Sequence, residues 1–326
     1  MPLKNISNRN NKLRWGEKPY YSLDYYLKEQ YGQKVYKLAL DAGMSCPNRD
    51  GTLGTQGCIF CSGGGSGEFA TPLTGSCPIQ KQIDQAIAFL TSRQKYTGKA
   101  YIAYLQSFSN TYAPIEKLQK IYHEILKHPK IACMSVGTRP DCFSEETYHL
   151  LEKCSHIKPV WIELGLQTIH ESTAQFIRRG YSLPVFEKCV QNLQKRKIPV
   201  IVHIILGLPG ESEQDILETV GYLNELGIQG IKFQLLHILK GTGLAKMLPE
   251  LKTYSQDEYI SVLLKCIAHL SPDIVIHRLT GDGPKELLLA PDWSQNKRNV
   301  LNQIAHTMKE QNIYQGKEYR QKGGSL

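Results

Sequence analysis

Three cysteines stand close together in the segment LDAGMSCPNRDGTLGTQGCIFCSGGGSGEF: Cys46, Cys58 and Cys61, spaced C-x11-C-x2-C within a glycine-rich stretch. Thiolates are soft donors suited to iron–sulfur clusters or zinc, and a Cys-x-x-Cys pair can bring two sulfurs to one centre. The number of ligands bears on which. A structural zinc closes with four protein ligands, whereas a cubane held by three cysteines keeps one iron open to a small molecule, and an open iron implies chemistry. Two further cysteines leave the zinc alternative standing: Cys77 could complete a four-ligand site, and Cys142 follows a strand-like run where it could face a cavity. Cys133, Cys154, Cys189 and Cys266 fall within strand or helix patterns and read as small buried hydrophobes.

The rest of the chain must position whatever this triplet holds. Short apolar, β-rich runs recur at 35–40, 100–105, 131–136, 160–166, 200–206 and 230–236, alternating with helical spacing at 79–90, 115–126, 144–154, 172–177, 184–194 and 213–226. Repeated βα units with right-handed crossovers predict an α/β fold, built as a parallel sheet or as a partial (βα)6 TIM-like barrel. After residue 236 the pattern changes to a helix near 255–269, a short strand near 274–277 and a helix near 296–310, which predicts a C-terminal α/β extension packed on the core. The expected organisation is a basic N-terminal segment over 1–33, a core over 34–250 and the extension over 251–326. In βα architectures the loops at the carboxyl ends of the strands line the active site, and the cysteine segment follows the first strand.

Other polar residues gather at the same strand ends. Arg139 and Asp141 stand in GTRPDC, where a guanidinium either binds a carboxylate ligand bidentately or pairs with its neighbour. Glu163 is a charge inside an apolar strand run and needs a partner or a role, for which Arg139 or Arg179 is the expected partner. His203 interrupts VIVHIILGLPG, as a site residue or as a hydrogen-bonded core histidine, and Gly207 opens a tight strand-to-helix turn that permits close backbone approach. Lys240 and Thr242 in LKGT, with Arg278, Thr280 and Asp282 in HRLTGDGP, are candidates for the substrate side.

Hydrophobic content of 41% with 21% charged residues is ordinary for a globular protein. No apolar run approaches the ~20 residues that span a bilayer. The polar, basic start lacks the apolar stretch of a secretory signal, so the nine cysteines read as belonging to a reducing, cytoplasmic setting without disulfides. The net charge of +9 includes Lys4, Arg9, Lys12, Arg14 and Lys18 against Glu17 alone, followed by Trp15, Tyr20 and Tyr21. That combination suits phosphate neutralisation with base stacking, or a leader whose aromatics pack on the barrel.

The blocks KVYKLALDAGMSCPNRDGT, YLQSFSNTYAP, VGTRPDC, WIELGLQT, ILGLPGE, LLHILKGT and HRLTGDGP give the chain a resemblance, over nearly its whole length, to the radical S-adenosylmethionine (SAM) superfamily. Within it the chain resembles the branch related to the Elongator catalytic subunit, the bacterial YtqA/YhcC-type group and its Gram-positive MnmL-type subgroup. The resemblance implies that Cys46, Cys58 and Cys61 hold a [4Fe–4S] cluster whose open iron is chelated by the amino and carboxylate groups of SAM, and that reductive cleavage yields a 5′-deoxyadenosyl radical. It places Phe60 against the adenine, and the 106–111 segment, including Gln106, Ser109 and Asn110, near the SAM amino group, although the usual Gly-Gly is missing there. Gln167 and Arg179 match ligands of ribose and carboxylate, His203 stands where some relatives carry an acidic ribose ligand, and the Gly207 turn passes near the adenine. The implied function is modification of tRNA, converting a wobble-uridine carboxymethylaminomethyl group to aminomethyl, with tRNA as substrate, flavodoxin or ferredoxin as electron donor and no membrane partner. A radical SAM enzyme of a small metabolite or protein, and a non-catalytic zinc-stabilised RNA-binding protein, are the alternatives.

Overall fold

A computed structural model of the chain describes residues 15–70, 78–92, 98–281 and 283–320. Lys4, Arg9, Lys12, Arg14, Cys77 and Asp282 lie outside the described residues. Six strands fall at the apolar runs: β1 (Val35–Leu40), β2 (Ala100–Leu105), β3 (Ile131–Thr138), β4 (Val160–Gln167), β5 (Val200–Leu206) and β6 (Gly230–Leu235). A two-residue β7 (Ile238–Leu239) pairs antiparallel with β9 (Leu288–Ala290), and β8 (Val275–Arg278) runs parallel beside β6. The main sheet is therefore seven parallel strands in the order β1-β2-β3-β4-β5-β6-β8, curled into a half-barrel. The short strand read as part of the extension thus completes the sheet.

Helices α1 (Leu23–Tyr31), α2 (Ile79–Thr91), α3 (Ile115–Lys127), α4 (Glu145–Ile157), α5 (Glu171–Phe176), α6 (Leu183–Lys195), α7 (Glu213–Leu226), α8 (Gln256–His269) and α9 (Lys297–Glu310) complete the chain. Their starts are chemically marked. Ser212 with Asp215 and Ser255 with Glu258 form reciprocal capping boxes at α7 and α8, and Ser144 caps α4. None of the described helices is long and apolar enough to cross a membrane.

Because strand side chains alternate, each strand sends one set outward and one inward. The outward set, such as Leu38, Leu105, Val136, Leu164, Val202 and Phe233, packs under the helices in the main core. The inward set is stratified. At the amino ends Val35, Ile102, Cys133, Trp161 and Ile201 make an apolar layer that Leu27 of α1 plugs. One step along come Lys37, Tyr104, Ser135, Glu163, His203 and Lys232, and beyond them Gln106, Gly137, Gly165, Ile205 and Gln234 line an open cavity. Helix α1 was not foreseen in the sequence, because its mean hydropathy is polar and its stability comes from this docking.

The N-terminal aromatics are structural. Trp15 and Tyr21 are buried and stacked on each other at 5.8 Å, beside Val275, so they cannot take up nucleic-acid bases.

Candidate active site

The cysteine loop is held over the carboxyl end of the sheet by its own backbone. Ser109 N–H donates to Ser45 carbonyl at 3.1 Å, and Ile59 N–H to Ile177 carbonyl at 3.0 Å. The Asn48 amide donates to the carbonyls of Arg178 (2.9 Å) and Arg179 (3.2 Å) and approaches Cys58 Sγ at 3.5 Å. Arg49 Nη2 donates to the carbonyls of Cys61 (2.9 Å) and Ser62 (2.6 Å). The glycines that follow admit close neighbours: a Cβ on Gly65, whose φ is +59°, would lie 2.4 Å from Phe108 Cδ1, and one on Gly67 would lie 2.0 Å from Ser107 Oγ. Asn48 and Arg49 were not singled out in the sequence, where PNRDG reads simply as a turn.

Cys46, Cys58 and Cys61 are free, half-buried thiols on the wall of a cavity of about 270 Å³. Burial, and then the neighbouring Cys61, push the Cys58 thiol up to about 11, against the pull of Arg139 and Asn48. A bound metal would reverse that preference, since metal ligation requires the thiolate. Among the described residues the three sulfurs are not all within 4.8 Å of one another, whereas ligands on one tetrahedral zinc with ~2.3 Å bonds sit about 3.8 Å apart. A set of three thiolates fits a cubane, which takes three protein ligands here and leaves one iron open. The wall beside them carries two buried hydroxyls, Ser62 Oγ and Ser109 Oγ, without a hydrogen-bond partner.

Of the other candidates, Phe60, Gln106, Ser109, Arg139, Glu163, Gln167, His203 and Arg278 also line this cavity. Gln106 donates to Ser66 carbonyl at 2.6 Å, tying strand β2 to the loop. Gln167 sits at a bulge with φ +65°, a conformation held by Tyr181, whose hydroxyl donates to Gly165 carbonyl. Arg139 makes the bidentate pair with Asp141, at 2.9 and 2.7 Å, and lies 5.0 Å from the Tyr181 ring centre.

The other described candidates are not brought to the cavity. Asn110 is buried with its amide donating to the carbonyls of Ser107 and Gly137. Arg179, also buried, spends its guanidinium on the carbonyls of Leu166, Thr168 and Tyr181 and on Glu171. Gly207 packs against Tyr254, whose ring would lie 3.1 Å from an added Cβ. Lys240 is exposed, and Thr242 is buried in a local turn, its hydroxyl donating to Leu239 carbonyl at 2.7 Å. Cys142 is buried with its thiol pushed up to about 12, by burial and by Asp141.

Glu163 has partners other than the expected arginines. Its Oε1 accepts from Lys37 and from Ser135 Oγ at 2.6 Å, and its Oε2 accepts from Lys232 and from His203 Nε2 at 2.8 Å. Tyr104 lies between the two ammonium groups, 4.6 Å from Lys37 and 4.4 Å from Lys232. Burial alone would raise the Glu163 carboxyl, but Lys232 and Lys37 outweigh it and hold the carboxyl well below its usual range. Burial, then Lys232, lowers His203 to about 4, so the imidazole is neutral and donates through Nε2. Lys37 and Lys232 were missed, although each stands as a lone charge in an apolar run, VYKLAL and GIKFQL, the signal that drew attention to Glu163.

A model of the radical SAM superfamily matches residues 51–223, and one of the Radical_SAM C-terminal domain matches residues 228–310. The chain is 40% identical over 307 residues to the uncharacterized protein YtqA of Bacillus subtilis, covering 93% of this chain and 94% of that protein. It is 28% identical over 158 residues to the tRNA uridine(34) acetyltransferase of Methanocaldococcus infernus, covering 46% of this chain and 28% of that protein. Among solved structures, the Elp3 of Methanocaldococcus infernus with an N-terminal deletion superposes with a TM-score of 0.64 at 16% identity, covering 86% of this chain and 64% of that chain. That last likeness is one of fold.

Proposed function

The chain belongs to the radical SAM superfamily, and we propose that it modifies tRNA, converting the wobble-uridine carboxymethylaminomethyl group to aminomethyl. In this reading Cys46, Cys58 and Cys61 hold a [4Fe–4S] cluster and SAM occupies the adjoining cavity. A bound cluster supplies the electron for reductive cleavage of SAM, the source of hydrogen-abstracting power in this superfamily. An electron donor of the flavodoxin or ferredoxin type would reload it.

The chain's own residues hold and orient. Asn48 and Arg49 fix the loop that carries the thiols, through the contacts to four backbone carbonyls given above. Phe60 offers the adenine an aromatic face, backed by Ile59, Ile177 and Leu208. Ser109 and Gln167 present polar groups from the ends of neighbouring elements, and Gly137 and Gly165 keep the strand ends free of side chains where a ligand must fit. Arg139 is neutralised by Asp141, so it shapes the wall rather than attracting a second anion.

The single observation that carries the reading is the cavity itself, with cysteine thiols on one side and a charged strand layer as its floor. The relative named as a tRNA uridine(34) acetyltransferase supports tRNA as the substrate class. A net charge of +9 suits a polyphosphate partner. The test is nucleoside mass spectrometry of tRNA from a strain lacking the protein. The wobble carboxymethylaminomethyl nucleoside should accumulate and aminomethyl-derived nucleosides should disappear; unchanged wobble nucleosides would refute the tRNA reading.

A further inference from the structure

Beyond its last thiol the cysteine loop makes a tight turn. Ala70 N–H donates to Gly67 carbonyl at 2.8 Å, which puts Glu68 and Phe69 at the two corner positions. Both side chains line the cavity. The turn is pinned to the sheet: Gln106 donates to Ser66 carbonyl at 2.6 Å, Gly67 N–H donates to Gly64 carbonyl at 2.9 Å, and a Cβ on Gly67 would stand 2.0 Å from Ser107 Oγ. The two corners carry unlike chemistry. Glu68 folds back over Gly64, where an added Cβ would lie 2.9 Å from Oε1, and that oxygen is buried with no hydrogen-bond partner among the described residues. Arg49, the cation on the same loop, gives Nη2 to the carbonyls of Cys61 and Ser62. Phe69 is 55% exposed, whereas Phe60 and Phe108, the other phenylalanines on the cavity wall, are half-buried.

We infer that this turn grips the base to be modified: Phe69 takes the face of the pyrimidine, and Glu68 takes the ammonium of its C5 side chain. The inference rests on the proposed function, in which that side chain carries a secondary amine, protonated near neutral pH. A carboxylate oxygen withdrawn from water is costly until a cation or an N–H donor meets the group. SAM does not fill that role in this reading, because its amino group is spent on the open iron and its sulfonium has no proton to donate. A substrate ammonium brings both the charge and the hydrogen. The ring of Phe69 stands in water on a cavity wall, where stacking on a base is favourable whatever the base. Phe60 is engaged with the adenine in this reading and Phe108 is packed against Gly65, which leaves Phe69 for the substrate. Consecutive Cα atoms stand about 3.8 Å apart, so a base stacked on Phe69 keeps its C5 side chain within reach of Glu68.

The test uses the reconstituted holoenzyme saturated with SAM and two nucleosides of nearly equal size, 5-aminomethyluridine and 5-hydroxymethyluridine. Wild type should bind the amine about tenfold or more tighter than the alcohol, the scale of one charged hydrogen bond. Glu68→Gln should erase that preference while keeping the affinity for the alcohol. Phe69→Ala should weaken both nucleosides by about fivefold or more and leave the preference, and Phe69→Trp should restore both. Equal affinity for the two nucleosides in wild type, or a preference that survives Glu68→Gln, would overturn the ammonium receptor; unchanged affinities in Phe69→Ala would overturn the stacking face. Loss of iron or of SAM affinity in Glu68→Gln would put the carboxylate in the service of the loop or of SAM and overturn its assignment to the substrate. An intact ammonium preference together with unchanged wobble nucleosides in the deletion strain would refute the tRNA reading and leave the grip standing.

Discussion

Glu163 concentrates the chemistry of this molecule into one buried group, and each side chain around it answers for a measurable property. His203 donates to it while remaining neutral, with its pKa lowered from the ordinary 6.5 to about 4. The unfolded chain therefore binds a proton that the native chain refuses between those values. The stability from the neutral imidazole is fully present above pH 6.5 and is lost as the pH falls toward 4, with a slope of at most about 1.4 kcal/mol per pH unit. His203→Gln should flatten this limb in melting experiments across that window; an identical slope in variant and wild type would show that the histidine titrates as an exposed one. At the cysteines the expectation is sharper. Cys46→Ala, Cys58→Ala and Cys61→Ala should each abolish the charge-transfer absorption of the reconstituted cluster and SAM cleavage with it. Cys266→Ala, deep in α8, should keep both, with only the modest destabilisation of a core truncation. Full iron content in any of the three loop variants would remove that residue from the ligand set.

At the scale of elements the decisive pieces are a loop and a set of strand registers. The loop works because Gly65 takes a positive φ and lets Phe108 lie where a side chain would stand, while Gly63, two residues earlier, has nothing within 4 Å of an added Cβ. Gly65→Ala should therefore lower iron occupancy and stability, the left-handed backbone alone costing roughly 1–2 kcal/mol, while Gly63→Ala should behave as wild type. Equal iron occupancy in the two variants would mean that the loop does not need this approach. The strands were legible because apolar runs of six to eight residues punctuated by Pro and Gly leave little choice, and the cysteine triplet announced itself by composition. The partners of Glu163 were not legible. Lys37 and Glu163 sit on β1 and β4, with two strands between them in the sheet, and Lys232 lies 69 residues from Glu163 in the chain. They meet because the sheet curls, a property of accumulated strand twist rather than of any local pattern. Arg179 misled for the opposite reason: a family position pointed to a cofactor ligand, but the chain turns there and the guanidinium satisfies three backbone carbonyls.

Taken whole, the molecule is a stratified half-barrel, with an apolar base plugged by α1, a charged middle and a cavity roofed by cysteines. The segment after β6 contributes β8 and with it Arg278, so the C-terminal region supplies part of the floor rather than merely covering the core. The chain's net charge of +9 suits a polyanionic partner, and in the proposed reading each phosphate contact should add about 0.9 to the slope of log affinity against log salt for a duplex region and about 0.7 for a single strand. In the proposed reading the cluster and SAM occupy the cysteine side of the cavity and the body of the RNA lies outside it. The measurement that bears on this assignment most directly is anaerobic turnover of the reconstituted protein with SAM, a reductant and tRNA carrying the wobble carboxymethylaminomethyl group, read by nucleoside mass spectrometry. The account predicts an aminomethyl product that forms in step with 5′-deoxyadenosine and that is absent with Cys58→Ala; SAM cleavage that proceeds with the wobble nucleoside left intact would contradict it.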